Sequence, residues 1–167
     1  TKNFGRYIKV GVIEDRDNKD ALLKIASFSS SGSGEGETTL PDYVSRMKEG
    51  QKQIYYLSGA SKQAASSSPV LERLQKQGYE VLFALDQIDE IALQGVGKFE
   101  EYDVIDAAKE NAELGEMSEE EKKAEEDAKE EFAATTDFLK ATLGSRVDKV
   151  AVSSRLTTSP SALVQPQ

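Results

Sequence analysis

The chain contains no cysteine and no histidine among its 167 residues. Without cysteine there is no disulfide and no thiolate chemistry, and zinc sites built from Cys or His are excluded with them. Without histidine the commonest general base is missing, so triad-type catalysis would need an unusual base. Aromatic residues make up 7% and apolar residues 38%, lean for a globular protein. No run of about 18 or more apolar residues occurs, so nothing reads as a membrane-spanning helix. The opening Thr1–Phe4 lacks the apolar region of a secretory signal. A start without Met fits an excised piece of a longer protein. Positive charge is also short: 21 Lys and Arg against 30 Asp and Glu give a net charge of −9. That argues against nucleic acid and against an anionic membrane as partners, since both need a basic face.

The negative charge is concentrated. Between Glu116 and Glu131 nine acids face three lysines, which accounts for −6 of the −9. Ser118 with Glu121 three residues later is a capping box, and it opens the longest expected helix, running to Gly144. Its first turns are wholly charged. Later turns carry Ala128, Phe132, Thr135, Leu139 and Leu143 on one face, so a solvated end and a docked end are expected.

Before this helix the pattern is that of a small α/β unit. Phe4–Ile13 reads as a helix end or a strand, and Asp17-Asn18 opens a short helix through Ile25. Ser27–Ser31 reads as a strand end around Phe28, followed by the Gly/Ser loop of residues 29–37. Thr39 caps a helix with Pro41 in its first turn, which runs to about Glu49 and stops at Gly50. Ile54–Leu57 and Glu80–Leu85 are continuous apolar runs, the signature of buried parallel strands. Between them Ser61–Ser67 is helical, and Ser68 caps a second helix with Pro69 at its first position. Val70, Leu71 and Leu74 face inward there, and Gly78 ends it. Gln87–Leu93 is a short helix with Ile88, Ile91 and Ala92 inward, and Tyr102–Ile105 is a third strand. Consecutive βαβ units of this kind give a parallel sheet with helices on its faces. Val147–Ser153 and Ala162–Gln165 read as further strands, the last cut off by the chain end. The expected fold class is therefore α/β: a parallel-sheet αβα unit, then a long acidic helix and an incomplete α+β piece. The expected domain division is 1–108, an acidic connection at 109–131, and 132–167.

No residue pattern assigns catalysis. Ser45 and Lys48 match Ser-x-x-Lys, but the companion motifs of that chemistry are absent. The Gly/Ser loop carries Glu35 and Glu37 and no following Lys, so it is no phosphate cradle. The carboxylate groups Glu14-Asp15, Asp86 with Asp89-Glu90, and Glu100-Glu101 read as surface acids and caps. Tyr55 and Tyr56 are adjacent in a strand and so face opposite cores. If the chain were instead a small α/β enzyme or nucleotide binder, the ligand would sit beyond the strand ends, at Ser58–Ser61 and Asp86-Gln87. A third reading is an acidic adaptor working through residues 116–131.

Several ordered blocks carry a family resemblance. Phe4–Asp15, Asp42–Tyr56, Ser68–Leu74, Gly78–Leu82, Ile88–Glu90, Val150–Leu156 and Ser159-Pro160 together resemble the 90-kDa heat-shock protein family of molecular chaperones. Gln87 departs from the Pro common in that family, and Ser161 stands where some members have Cys. The resemblance implies the end of the family's middle domain followed by the start of its C-terminal domain. It implies an ATP-dependent, stress-linked chaperone that handles client proteins and co-chaperones and works as a homodimer. ATP and Mg²⁺ belong to the family's N-terminal domain, the arginine that aids hydrolysis lies upstream of Thr1, and the dimerising helices lie downstream of Gln167. The resemblance thus places no catalytic, cofactor-binding or metal-binding residue, and no cofactor, in this chain. It implies an intracellular setting, cytoplasmic or organellar (mitochondrion or plastid), and the Phe4-Gly-Arg start looks slightly more like organellar members.

Overall fold

The structure, a computed structural model, describes residues 2–109 and 118–164. Helix α1, Lys2–Glu14, resolves the helix-or-strand ambiguity of the first segment in favour of helix. Gly11 is needed there for proximity: a Cβ at that position would lie 2.9 Å from Leu22 Cδ1. Leu22 belongs to α2, Lys19–Ile25, which packs on α1. The Asp15 carboxylate closes the turn between them, accepting from Asn18 N at 3.2 Å and Nδ2 at 2.8 Å. Strands β1 (Ser27–Ser30) and β2 (Thr38–Thr39) bracket the Gly/Ser loop. Helix α3, Leu40–Ser45, is capped as expected, with Thr39 Oγ1 accepting from Asp42 N at 3.3 Å. It stops short of Glu49 because Arg46 N and Met47 N bond back to Tyr43 O and Val44 O, tightening the last turn.

Strand β3 is Gln53–Ser58, and α4, Lys62–Ser66, is capped by Ser61 Oγ. Ser68 makes no side-chain cap; Pro69–Leu71 forms a 3₁₀ turn instead, leading into α5, Glu72–Lys76. Val70, Leu71 and Leu74 are buried as the pattern demanded, and Gly78 ends the segment at φ 72°. Strand β4 is Val81–Ala84, and α6 is Gln87–Val96, three residues longer than its expected end at Leu93. The inward stripe is Asp89, Ala92, Leu93 and Val96, at i, i+3, i+4 and i+7, so Ile91 lies off it and is 45% exposed rather than inward. Strands β5 (Lys98–Phe99) and β6 (Tyr102–Asp106) form a hairpin turning at Glu100-Glu101, with Glu100 at φ 53°.

The sheet order is β2-β1-β4-β3-β6-β5. The three central strands are parallel, with Tyr56 opposite both Leu82 and Asp106. This is the expected βαβ core. Both margins are antiparallel: β1 on β4, β2 on β1, and β5 on β6. A two-residue turn allows β5 and β6 no other pairing. Tyr56 lies in the core under α1 and α6, with Val12, Phe28, Leu82 and Leu93. Tyr55 lies in the core under α4 and α5, with Leu71, Leu74 and Phe83, and stacks on Tyr79 at 6.0 Å between centroids. The two tyrosines do face opposite sides, and the unit is a three-layer αβα sandwich.

The C-terminal piece differs from expectation. Residues 110–117, the start of the acidic segment, and Gln165 lie outside the described residues. The capping box at Ser118 and Glu121 is formed. The long helix is two helices, α7 (Glu119–Glu131) and α8 (Ala133–Leu143), separated at Phe132 with φ −93° and ψ 7°. Phe132 N bonds to Ala128 O and Thr136 N to Phe132 O, so helical bonding continues across the break. The expected docked face is open: Phe132 is 46% and Leu139 40% exposed. Residues 147–164 contain no strand among those described. The sheet margins β2 and β5 are two residues long and offer them no ladder. The segment is held by side chains instead.

Candidate functional site

The expected chemistry-bearing residues serve local structure. Ser45 Oγ donates to Asp42 O at 2.7 Å, a bond within its own helix, and so does not work with Lys48. Asp86 and Asp89 form the capping box of α6. Asp89 is also buried, with Oδ1 2.6 Å from Lys9 Nζ, and this ion pair joins α6 to α1. Among the described residues no group of three or more acids is arranged to hold a metal, and no helix is long and apolar enough to cross a membrane.

The strand order reverses between β3 and β6, and a cleft of about 380 Å³ lies beyond their ends. This is where a doubly wound sheet would hold a ligand. Its walls are Leu57, Ser58, Gly59, Ala65, Val70 and Ala108, with Leu163 and Val164 of the C-terminal segment at its mouth. Among the described residues no Lys or Arg lines it. Lys62, close by in sequence, donates to Ser33 Oγ at 3.3 Å and to Gly34 O. Gly59 permits α4 to pack closely, since a Cβ there would lie 2.9 Å from Ala65 Cβ. Ala64, in the first turn of the five-residue helix α4, also lines the cleft, but with no Lys or Arg among its described lining residues it offers a nucleotide's phosphates no cation. The nucleotide-binding alternative is not favoured.

The decisive geometry is the attachment of residues 147–164, a strap crossing the α4–α5 face. Arg155 is buried and donates from Nη1 to Ala107 O at 3.1 Å and from Nη2 to Lys109 O at 2.6 Å. Burial pulls its pKa below the ordinary guanidinium value. It thereby ties the strap to the chain just after β6. Glu72, in the first turn of α5, forms the second anchor. Its carboxylate accepts from Thr157 N at 2.6 Å, Thr158 N at 2.8 Å and Ser159 N at 3.1 Å. It accepts further from Thr158 Oγ1 at 3.0 Å, Thr157 Oγ1 at 3.3 Å and Ser159 Oγ. The Ser159 hydroxyl, then the Thr158 and Thr157 N–H groups, hold the Glu72 carboxyl far below its usual range. A third link joins α7 to α5, where buried Arg73 reaches Glu121 at 3.3 Å. Inspection of the sequence does not pick out Glu72, Arg73 or Arg155 as a set. Their partners lie 46 to 87 residues away for most contacts, and polar pairing carries no periodicity.

Comparison with known proteins decides the family. The profile described as Hsp90 protein matches residues 1–167, the whole length. The chain belongs to the Hsp90 family. It is 42% identical over 163 residues to the chloroplastic heat shock protein 90-5 of Arabidopsis thaliana, covering 98% of this chain and 20% of that protein. It is 40% identical over 162 residues to the mitochondrial heat shock protein 90-6 of the same plant, covering 97% and 20%. It is 42% identical over 165 residues to the chaperone protein HtpG of Rhodococcus jostii, covering 96% and 25%. The chain thus spans about a fifth to a quarter of the length of these relatives. Among solved structures, the middle domain of a Plasmodium falciparum heat shock protein matches with TM-score 0.61 and 43% identity, over 62% of this chain and 44% of that one. The αβα unit described above is therefore an Hsp90 middle-domain architecture. The plant relatives carry organellar names and the bacterial one does not.

Proposed function

We propose that this Hsp90 chain is the connecting part of an ATP-dependent molecular chaperone that assists the folding and maturation of client proteins. Residues 1–108 are the C-terminal part of the middle domain, 109–131 an acidic connection, and 132–167 the start of the C-terminal domain. The nucleotide and Mg²⁺ are held by other parts of the full-length protein, and so are the helices through which it dimerises. Clients and co-chaperones are its partners, in an intracellular setting that is cytoplasmic or organellar. The observation that carries the reading is the double anchorage of the strap. Arg155 and Glu72 fix the segment after α8 to the rigid sheet unit, so motion of one is transmitted to the other. Transmission of that kind needs a bistable or movable element joined to both ends.

The test is ATP turnover. Purified chain 1–167 shows none, and the full-length protein carrying Arg155→Met loses turnover several-fold while its nucleotide affinity stays unchanged. Hydrolysis by the isolated chain, or full-length R155M with unaltered turnover, overturns the proposal.

A further inference from the structure

We propose that Ser159 is a phosphorylation site for a proline-directed protein kinase, and that its modification releases the strap from Glu72. Ser159 is followed directly by Pro160. A residue before proline is held in extended geometry, the form a kinase cleft accepts. Residues 150–164 have no helix or strand, and Thr157, Thr158 and Pro160 are exposed. The segment can therefore be bound as a peptide without unfolding an element.

The hydroxyl is also the point at which added charge acts most strongly. Ser159 Oγ donates to Glu72 Oε1, and Ser159 N donates to both carboxylate oxygens, at 3.1 Å and 3.2 Å. Hydrogen bonds from the strap, the Ser159 hydroxyl foremost, hold the Glu72 carboxyl well below its ordinary value. The neighbouring guanidinium of Arg73 is engaged by Glu121. In the transfer step, Ser159 Oγ attacks the γ-phosphorus of ATP in the kinase. The new O–P bond forms, the bond to the β,γ-bridging oxygen breaks, ADP departs, and the hydroxyl proton passes to the kinase's base. The product has lost the O–H donor and gained about two negative charges beside a carboxylate. The Glu72 anchor cannot close around it. The strap then keeps Arg155, the Ser154–Glu125 bond and the packing of Ala162, and the Thr157–Ser159 stretch comes free.

The chain has a second Ser-Pro pair, Ser68-Pro69, so the experiment uses Ser68→Ala as its background. This chain is incubated with ATP and a purified mitogen-activated protein kinase, beside the same chain carrying Ser159→Ala or Glu72→Gln. Phosphate is located by mass spectrometry, and amide exchange is followed over residues 155–164. The expected result is one phosphate on Ser159, none in S159A, and faster labelling of E72Q. Exchange at residues 157–159 of the phosphorylated chain rises about tenfold or more, toward that of E72Q, as local opening replaces a closed anchor. No phosphate on Ser159, phosphate confined to E72Q, or phosphate with unchanged exchange overturns the proposal. Far-UV circular dichroism shows independently that each variant is folded.

Discussion

Replacing Lys9 by Met tests how the helical layer is fixed to the sheet. Lys9 Nζ lies 2.6 Å from Asp89 Oδ1, with side chains 9% and 8% exposed, and 4.7 Å from the centre of the Phe28 ring. At an effective dielectric of about 20 this separation corresponds to a gross attraction of about 6 kcal/mol. Desolvating each ion costs several kcal/mol, so the intact pair is close to neutral against a well-packed apolar pair. Removing one partner is different, because the remaining charge stays buried, at a cost of about 3–5 kcal/mol. In K9M the Asp89 carboxylate keeps two long backbone bonds, to Leu85 N and Asp86 N at 3.3 Å. These offset part of the loss and place the expected cost near the lower end, about 3 kcal/mol. With a urea m-value of about 2 kcal/mol/M the midpoint falls by about 1.5 M. D89N costs a similar amount by stranding the ammonium. The double variant K9M/D89N retains an amide oxygen for the two N–H groups and costs less than either single change. Urea unfolding followed by circular dichroism gives all four corners of the cycle. Single variants that each cost under about 1 kcal/mol and add in the double would refute a desolvated, coupled pair.

Two further predictions concern buried tyrosines, Tyr43 of α3 and Tyr56 of β3. Tyr43 OH donates to Glu80 O at 2.6 Å and accepts from Gln51 Nε2 at 3.1 Å and Tyr55 N at 3.4 Å, all under a ring that is 1% exposed. Tyr43→Phe therefore lowers stability by about 1–3 kcal/mol, a fall in melting temperature of about 2–4 °C per kcal/mol for a chain of this size, and an unchanged melt refutes the network. In alkaline titration, burial pushes the Tyr56 phenol up to about 12 and raises Tyr43 further. Raised folded values mean that this stability is complete below the unfolded tyrosine pKa of about 10 and is lost as pH rises from there toward 12. Phenolate absorbance near 295 nm then shows neither ring ionising in the folded chain around pH 10; ionisation of either there, with the fold intact by circular dichroism, contradicts their burial.

Periodicity and punctuation made part of the fold legible in the sequence. The strands at Ile54–Leu57 and Glu80–Leu85 are runs of apolar residues because both faces of a central parallel strand are covered, and that pattern needs no knowledge of the partner. Thr39 and Ser118 announce their helices by chemistry confined to four residues. The failures share a cause. Ile91 reads as inward because the apolar Ile88, Ile91 and Ala92 suggest a stripe, whereas the buried stripe includes Asp89, whose burial depends on the distant Lys9. Val150 and Val152 alternate like a strand, yet alternation cannot supply a neighbour with free backbone groups. Phe132 and Leu139 form an apolar face that this chain leaves open. The anchors at Glu72 and Arg155 join residues distant in sequence, and no local signal distinguishes them from other surface charges.

The contrast between the two kinds of attachment bears on the mechanism. The sheet unit is held by two apolar cores, where displacement of a buried side chain such as Leu71 or Leu93 opens a cavity costing several kcal/mol. The strap is held chiefly by a guanidinium on two carbonyls and a carboxylate on N–H and O–H donors, with Ala162 packed against the second core. Each such bond exchanges with water at a net cost of about 0.5–3 kcal/mol, the charged ones at the upper end. A strap tied this way can leave and return while uncovering only the margin of the second core at Ala162. It is nevertheless directional while attached, because backbone donors at Thr157, Thr158 and Ser159 meet one carboxylate only in one register. Rigid seat and releasable tie are the two properties that the coupling role proposed above requires.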